Sequence, residues 1–307
     1  MDSKSLLWGI DLGGTKIEGT VIAPGSKPKI MTRIRIPTKR QKGYQYLIGQ
    51  IAHLLDQLQA ETGASPEKLG VGIPGTLEPS TRTIKNANTT LLNGKGFHKD
   101  LETRLKLPVV MANDANCFAL AETRFGIIQQ TAPESELVFG VIMGTGVGGG
   151  IVMNGRVING LQGVAGEWGH NFLDASGGTC YCGKTGCVET VISGPALEKY
   201  YHMCSGNNKT LREINTLHLQ GIDTHATATI DRLVHFFGKG IAQVINILDP
   251  EYIVLGGGVG NIEALYDKGA EEAKKFVFNP TLETRFLRPA LGDSAGVIGA
   301  AYLTSPG

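Results

Sequence analysis

The residues best suited to chemistry lie in a few short stretches. In "ANDAN", Asp114 follows Asn113 directly after an apolar run. A carboxylate there can accept the proton of an attacking hydroxyl, which phosphoryl transfer needs beside a metal and positioned phosphates. The same position also suits a helix N-cap, where Asp and Asn are common. Asn113 and Asn116 add polar groups that capping alone does not need. The helix dipole favours negative charge at such a start, so the sequence predicts an ionised Asp114 at neutral pH.

A second group begins with "GEWGH", which sets Glu167 and His170 three residues apart, and "CYCGKTGC" follows ten residues later. One His with Cys180, Cys182 and Cys187 makes a complete tetrahedral zinc set, and a site closed by four protein ligands is structural. The C-x-C-x₄-C spacing differs from the usual C-x₂-C knuckle, but Gly183 and Gly186 can fold the loop so that Cys187 returns. The other readings are a redox site or unliganded thiols. A thioredoxin-like pair would need C-x-x-C at a helix start, which is missing. Cys117 and Cys204 stand alone and are expected to be buried or inert.

The third group is glycine-rich. Asp11 ends an apolar run and opens "DLGGTK", with Gly13, Gly14, Thr15 and Lys16, and a similar loop, "GTGVGGG", carries Gly144, Thr145 and Gly146. Gly144, Gly146 and Gly149 satisfy G-x-G-x-x-G, but that dinucleotide fingerprint needs a helix to follow, whereas "IVMNGRVI" reads as strand, turn, strand. The P-loop pattern G-x-x-x-x-G-K-[ST] is absent. Hairpin glycine turns present successive backbone N–H groups to phosphate oxygens, and Asp11 could hold Mg²⁺. Gly256, Gly257 and Gly258 follow a third apolar run, and the three loops together point to nucleotide binding.

These residues need strands to end at the loops and helices to back them. Apolar runs at Leu6–Ile10, Lys16–Ile22, Gly70–Ile73, Val109–Met111, Leu137–Met143 and "EYIVL" predict strands. Helical spacing of Leu47, Ile48, Ile51, Leu54, Leu55 and Leu58 predicts a helix from Tyr44 to Thr62, stopped by Gly63. Further helices are expected at Lys99–Leu105, after Asn113, at Ala228–Leu248 and at Glu263–Lys275. The small-residue stretch "GDSAGVIGAAYL" should form a helix that packs closely. Asn154-Gly155 marks a two-residue hairpin turn. The second half repeats the grammar of the first.

The chain has 307 residues, 41% of them hydrophobic, enough for two domains or one large one. A net charge of +1, from 29 basic and 28 acidic residues, gives no nucleic-acid or membrane footprint, so a small molecule is the expected partner. No stretch approaches the roughly 20 apolar residues of a membrane span, and no signal peptide is apparent. A cytoplasmic protein is expected, in keeping with an odd, clustered set of five cysteines.

Through DLGGTK, ANDANC, GTGVGGG, GEWGH and C-x-C-G-x-x-G-C-x-E, the chain resembles the ROK (repressor, open reading frame, kinase) family of sugar kinases over nearly its whole length. The resemblance implies an α/β, two-domain, actin-like (ribonuclease H-like) fold with the active site in the interdomain cleft. The expected domains are 1–118 plus 292–307, smaller and closed by the last helix, and 119–291, carrying the zinc loop. It implies ATP and Mg²⁺, a homodimer, and sugar contacts at Gly75, Asn88, Asn113, Asp114, Glu167, His170 and Glu189. Asp114 is the implied base for the 6-hydroxyl, and zinc falls on His170, Cys180, Cys182 and Cys187. Finer likeness, in "GIPGTLEP", "KNANTTLLNG" and "VINILDPEYIVLGGG", is to bacterial fructokinases that also accept mannose, although "DASGGT" is short where those carry an insertion.

The leading expectation is therefore a hexose 6-kinase acting on fructose. The alternatives are kinases of N-acetylglucosamine, N-acetylmannosamine or glucose, and a sugar-sensing repressor. The repressor would need a DNA-binding module ahead of the first strand, which begins at about Leu6.

Overall fold

A computed structural model describes residues 6–25 and 28–305. In chain order its elements begin with β1 (Leu7–Leu12), β2 (Lys16–Ala23), β3 (Lys29–Pro37), α1 (Tyr44–Thr62) and β4 (Leu69–Ile73). A small hairpin of β5 (Thr76–Leu77) and β6 (Ile84–Lys85) follows, then α2 (Phe97–Leu105), β7 (Val109–Asn113), α3 (Asp114–Arg124) and α4 (Ile127–Thr131). Next come β8 (Leu137–Met143), β9 (Val147–Met153), β10 (Arg156–Val157), α5 (Val188–Ile192), α6 (Gly194–Ser205), α7 (Leu211–Gln220) and α8 (Thr224–Leu248). The chain then forms β11 (Tyr252–Gly256), α9 (Gly257–Gly260), α10 (Lys268–Lys274), β12 (Arg285–Leu287) and α11 (Ala295–Tyr302).

Two compact units emerge. The first gathers residues 1–134, 150–165 and 290–307, and the second residues 135–149 and 166–289. Residues 119–134, 150–165 and 290–291, expected in the larger domain, cluster instead with the first unit. The cause is local: α3 packs on α11, and a Cβ on Gly299 would stand 1.8 Å from the Cys117 carbonyl oxygen.

The first unit is built on a sheet of order β3-β2-β1-β4-β7, antiparallel through the first three strands and parallel from β1 to β7. The apolar stripe of α1 (Leu47, Ile51, Leu54 and Leu58) is fully buried in a core with Trp8, Ile10, Ile17 and Val71. Gly63, at φ 65°, ends that helix in the left-handed region where glycine carries no Cβ penalty. The small residues of α11 have a matching surface: Gly9 and Gly70 are neighbours across the β1–β4 pair. A Cβ on Gly9 would lie 2.3 Å from the Ala301 nitrogen, and one on Gly70 1.7 Å from the Ala300 oxygen. The helix thus sits directly on the backbone of two strands.

In the second unit β8, β11 and β12 run parallel. The helix α8 starts before the expected Ala228 because Asp223 caps it, accepting from the amides of His225 and Ala226 at 2.8 and 3.1 Å. The Glu263–Lys275 segment divides into a 3₁₀ turn at Glu263–Leu265 and α10. Strand β9 begins in the second unit and ends in the first, where Asn154 and Gly155, at φ 51° and 68°, make the expected turn into β10. No helix among the described residues is long and apolar enough to cross a membrane.

Candidate functional site

In the first unit, Asp11 lies near the end of β1 and Asp114 at the first turn of α3. Asn113 is the true cap of α3, its Oδ1 accepting from the Asn116 amide at 2.7 Å. Asp114 accepts from the Ala115 amide at 2.8 Å. Burial raises the Asp114 pKa, and the backbone amides of Ala115 and Asp114 itself only partly oppose it. The side chain remains open to water, which moderates the rise. Desolvation is the largest cause, so the shift runs opposite to the one a helix start alone would give. A carboxylate moved toward neutral pH is a better general base, because its proton affinity approaches that needed at the working pH.

Asp11 is pushed up to about 7, first by burial, then by the charges of Asp114 and Glu18, with Lys16 opposing. Two glycines face its oxygens: a Cβ on Gly296 would stand 2.9 Å from Oδ2, and one on Gly72 3.1 Å from Oδ1. A buried carboxylate at the limit of ionisation suits a divalent cation, whose charge would favour the anion. The adjacent turn is closed by the Gly13 amide donating to the Lys16 carbonyl at 3.0 Å, and Thr38 Oγ1 donates to the Gly13 carbonyl at 2.8 Å. Gly14 faces Arg40 and Thr89, since a Cβ there would meet Arg40 Nη1 at 3.7 Å and Thr89 Oγ1 at 3.9 Å. Thr15 lies exposed at the tip and Lys16 begins β2. Gly75, at φ 138°, runs so close to Ala87 that a Cβ would fall 2.8 Å from its Cα, which brings Gly75 beside Asn88. Asn88 is exposed.

In the second unit, the Gly144 amide donates to the Gly146 carbonyl at 2.9 Å, and the Gly194 amide to the Gly144 carbonyl at 2.8 Å. Strand β9, not a helix, follows, as expected against a dinucleotide fingerprint. Gly256 ends β11. Gly257, at φ 80°, approaches the Met143 carbonyl so closely that a Cβ would lie 2.3 Å away, which sets the third glycine loop beside the second. Gly144, Thr145 and Gly258 share a cavity of about 800 Å³ with Glu198, Thr210 and Arg212, a volume within the range of small-molecule pockets. Sequence reasoning missed this side of the cavity, although "TLRE" carries the signal of a capping box. Thr210 and Glu213 cap α7 reciprocally.

Glu167, His170 and Glu189 are all half-buried in this unit. Glu189, in the first turn of α5, accepts from the Val147 amide at 2.9 Å. His170 Nδ1 faces Cys180 Sγ at 3.7 Å, and Cys182 and Cys187 sulfurs are 3.6 Å apart. The four ligand atoms of His170, Cys180, Cys182 and Cys187 all lie within 4.8 Å of one another. Burial pushes the Cys187 thiol up to about 12 and raises Cys180, whereas Cys182 is lowered, chiefly by the Lys184 amide. The donor set fits zinc, which would hold these groups as thiolates. Of the two remaining cysteines, Cys117 is buried and Cys204 exposed. Tyr181, between two of the ligands and unremarked in the sequence, approaches His170 Nε2 at 3.0 Å.

Residues 7–306 match the ROK family. The chain is 33% identical over 308 residues to the N-acetyl-D-glucosamine kinase of Aliivibrio fischeri, covering 97% of this chain and 99% of that protein. Among solved structures it is similar to the ROK hexokinase of Thermus thermophilus, with a TM-score of 0.85, 31% identity and 97% of both chains covered. A ROK family glucokinase from Streptomyces griseus, solved with glucose and AMPPNP, gives a TM-score of 0.77 at 27% identity over 97% of this chain and 99% of that one.

Proposed function

Because the chain belongs to the ROK family, as a sugar kinase of actin-like two-domain α/β fold, we propose that it phosphorylates N-acetyl-D-glucosamine at the 6-hydroxyl with ATP. The observation carrying this substrate is the near-full-length 33% identity to a kinase of that sugar. The same relatives favour an N-acetylhexosamine over the fructose expected from shorter motifs.

Asp114 accepts the 6-hydroxyl proton as the oxygen attacks the γ-phosphorus, and its raised pKa suits that role. Asn113 fixes the turn that presents it. Gly75, Asn88, Glu167, His170 and Glu189 are assigned to the sugar hydroxyls on the ROK resemblance. The turns at Gly13–Lys16 and Gly144–Gly146 offer amides to phosphate oxygens, and the cavity at Gly258 takes the nucleoside. Mg²⁺, when bound at Asp11, supplies charge neutralisation on the phosphates. Zinc, when bound by His170 and the three cysteines, fixes the loop carrying the sugar contacts and takes no part in the chemistry.

The test is a coupled assay of ATP consumption over N-acetylglucosamine, N-acetylmannosamine, glucose, mannose and fructose. The highest kcat/KM is expected for N-acetylglucosamine. A preference for fructose would return the assignment to the motif-based expectation.

A further inference from the structure

The side chain of Arg40 is exposed, yet the backbone that carries it is fastened to the first glycine turn. Thr38, fully buried, donates its amide to the Thr15 carbonyl at 2.9 Å and its Oγ1 to the Gly13 carbonyl at 2.8 Å. Lys39 then takes φ 50° and ψ 45°, a left-handed conformation that a lysine rarely adopts. Such a residue persists only where its surroundings over-determine it. A 3₁₀ turn over Arg40–Lys42 follows. The guanidinium is thereby set against the turn, since a Cβ on Gly14 would meet Arg40 Nη1 at 3.7 Å. Among the described residues no carboxylate pairs with it. The other cation of the turn, Lys16, already acts on Asp11.

Gly14 also faces Thr89, whose Oγ1 would lie 3.9 Å from the same added carbon and donates to Asn88 Oδ1 at 3.4 Å. Asn88 is assigned to the sugar. Arg40 therefore stands where a turn assigned to phosphate meets a residue assigned to the acceptor, all within the first unit. The phosphate exchanged between donor and acceptor is the terminal one. As the 6-oxygen bonds to the γ-phosphorus, its proton passes to Asp114, and the bond from that phosphorus to the β–γ bridging oxygen breaks with its electron pair leaving on ADP. Negative charge is spread over the three peripheral oxygens throughout, and a planar guanidinium can hold two of them at once.

We propose that Arg40 is a catalytic residue whose guanidinium holds the γ-phosphoryl group as it passes from ATP to the sugar. The proposal rests on the kinase reading above and is independent of which hexose is used.

The test compares the full-length, zinc-loaded wild-type protein with Arg40→Met and Arg40→Lys, in the presence of Mg²⁺ and the most active hexose of the panel above. In Arg40→Met, kcat should fall roughly 10²-fold. Calorimetry should show the Kd of the ATP analogue AMPPNP raised about tenfold by the loss of a charged hydrogen-bond partner. ADP, which lacks the γ-phosphate, and the hexose should bind as they do to wild-type. Arg40→Lys keeps the charge without the fork and should fall between the two proteins, which maintains the comparison if Arg40→Met melts lower. Equal weakening of AMPPNP and ADP would place Arg40 on the phosphates nearer the nucleoside, and weaker hexose binding would make it a sugar contact; either overturns the proposal. If wild-type is active and Arg40→Met keeps its kcat, this proposal alone fails. If wild-type phosphorylates no hexose, the kinase reading fails and takes this one with it.

Discussion

The amide of Val147 donates to Glu189 Oε2 at 2.9 Å, which ties the strand leaving the Gly144–Gly146 turn to a carboxylate at the start of α5. A phosphate-type loop and a sugar-contact candidate thus share one hydrogen bond. The two loops of the second unit are not independent.

That coupling can be tested at Gly146, where a Cβ would stand 2.5 Å from the same oxygen. Gly146→Ala should push Glu189 aside and lower kcat/KM for the sugar roughly 10- to 100-fold, as small misplacements do in positioned reactions. Steady-state kinetics with saturating ATP would read this. An unchanged sugar kcat/KM would mean that Glu189 moves without consequence.

At Asp114, replacement by Asn keeps the shape and removes the base. Turnover should fall roughly 10²- to 10⁴-fold, while sugar affinity measured by calorimetry is retained. Full turnover in the variant would remove Asp114 from the reaction.

Burial above all pushes the Asp11 carboxyl up to about 7 from its ordinary value of 3.8. A carboxyl shifted upward binds more protons folded than unfolded. Its contribution to stability is fully present below the unfolded value and is lost as pH rises through about 7. Metal-free protein should therefore melt lower at pH 8 than at pH 6. Asp11→Asn should flatten that slope and also abolish turnover. A slope unchanged by the substitution would place its cause in other groups.

The His170–Cys180–Cys182–Cys187 cluster should carry about one zinc per chain after purification without added metal. Chelation or Cys182→Ser should weaken sugar binding and lower the melting temperature, since binding energy at a structural site is folding energy. Zinc-free protein with full sugar affinity would reduce the stretch to a turn.

Gly70→Ala tests the seat of α11. The group in the way is the Ala300 carbonyl, 1.7 Å from the added carbon. Backbone cannot rotate aside, so a loss at or above the usual overpacking cost of about 1–3 kcal/mol is expected in denaturant unfolding. A neutral result would show that α11 shifts freely.

Local signals in the sequence were the most readable. The α1 stripe, the Asn154-Gly155 turn and the strand-ending glycine loops depend on near neighbours, and each has the predicted form. The cluster of His170, Cys180, Cys182 and Cys187 was readable because ligand type and number constrain such a set strongly. Three features depended on contacts far apart in sequence and were not readable. Glu122 is buried, and its carboxylate accepts from the amides of Ile127, Ala290 and Leu291, each at 3.0 Å; in sequence it is one charge on an apolar helix. The unit boundary follows the α3–α11 contact, which links residues on either side of the whole second unit. The helix start at Asp114 is legible in sequence, but its desolvation is not.

The seat of α11 on Gly9 and Gly70 also sets an order of events on the ribosome. All of the second unit is synthesised between β1 and the helix that covers it. The sheet begun first must therefore wait, with one face bare, while the later unit becomes able to fold. Glu122, clasping the chain at Ala290 and Leu291, receives the returning segment just before that face is closed.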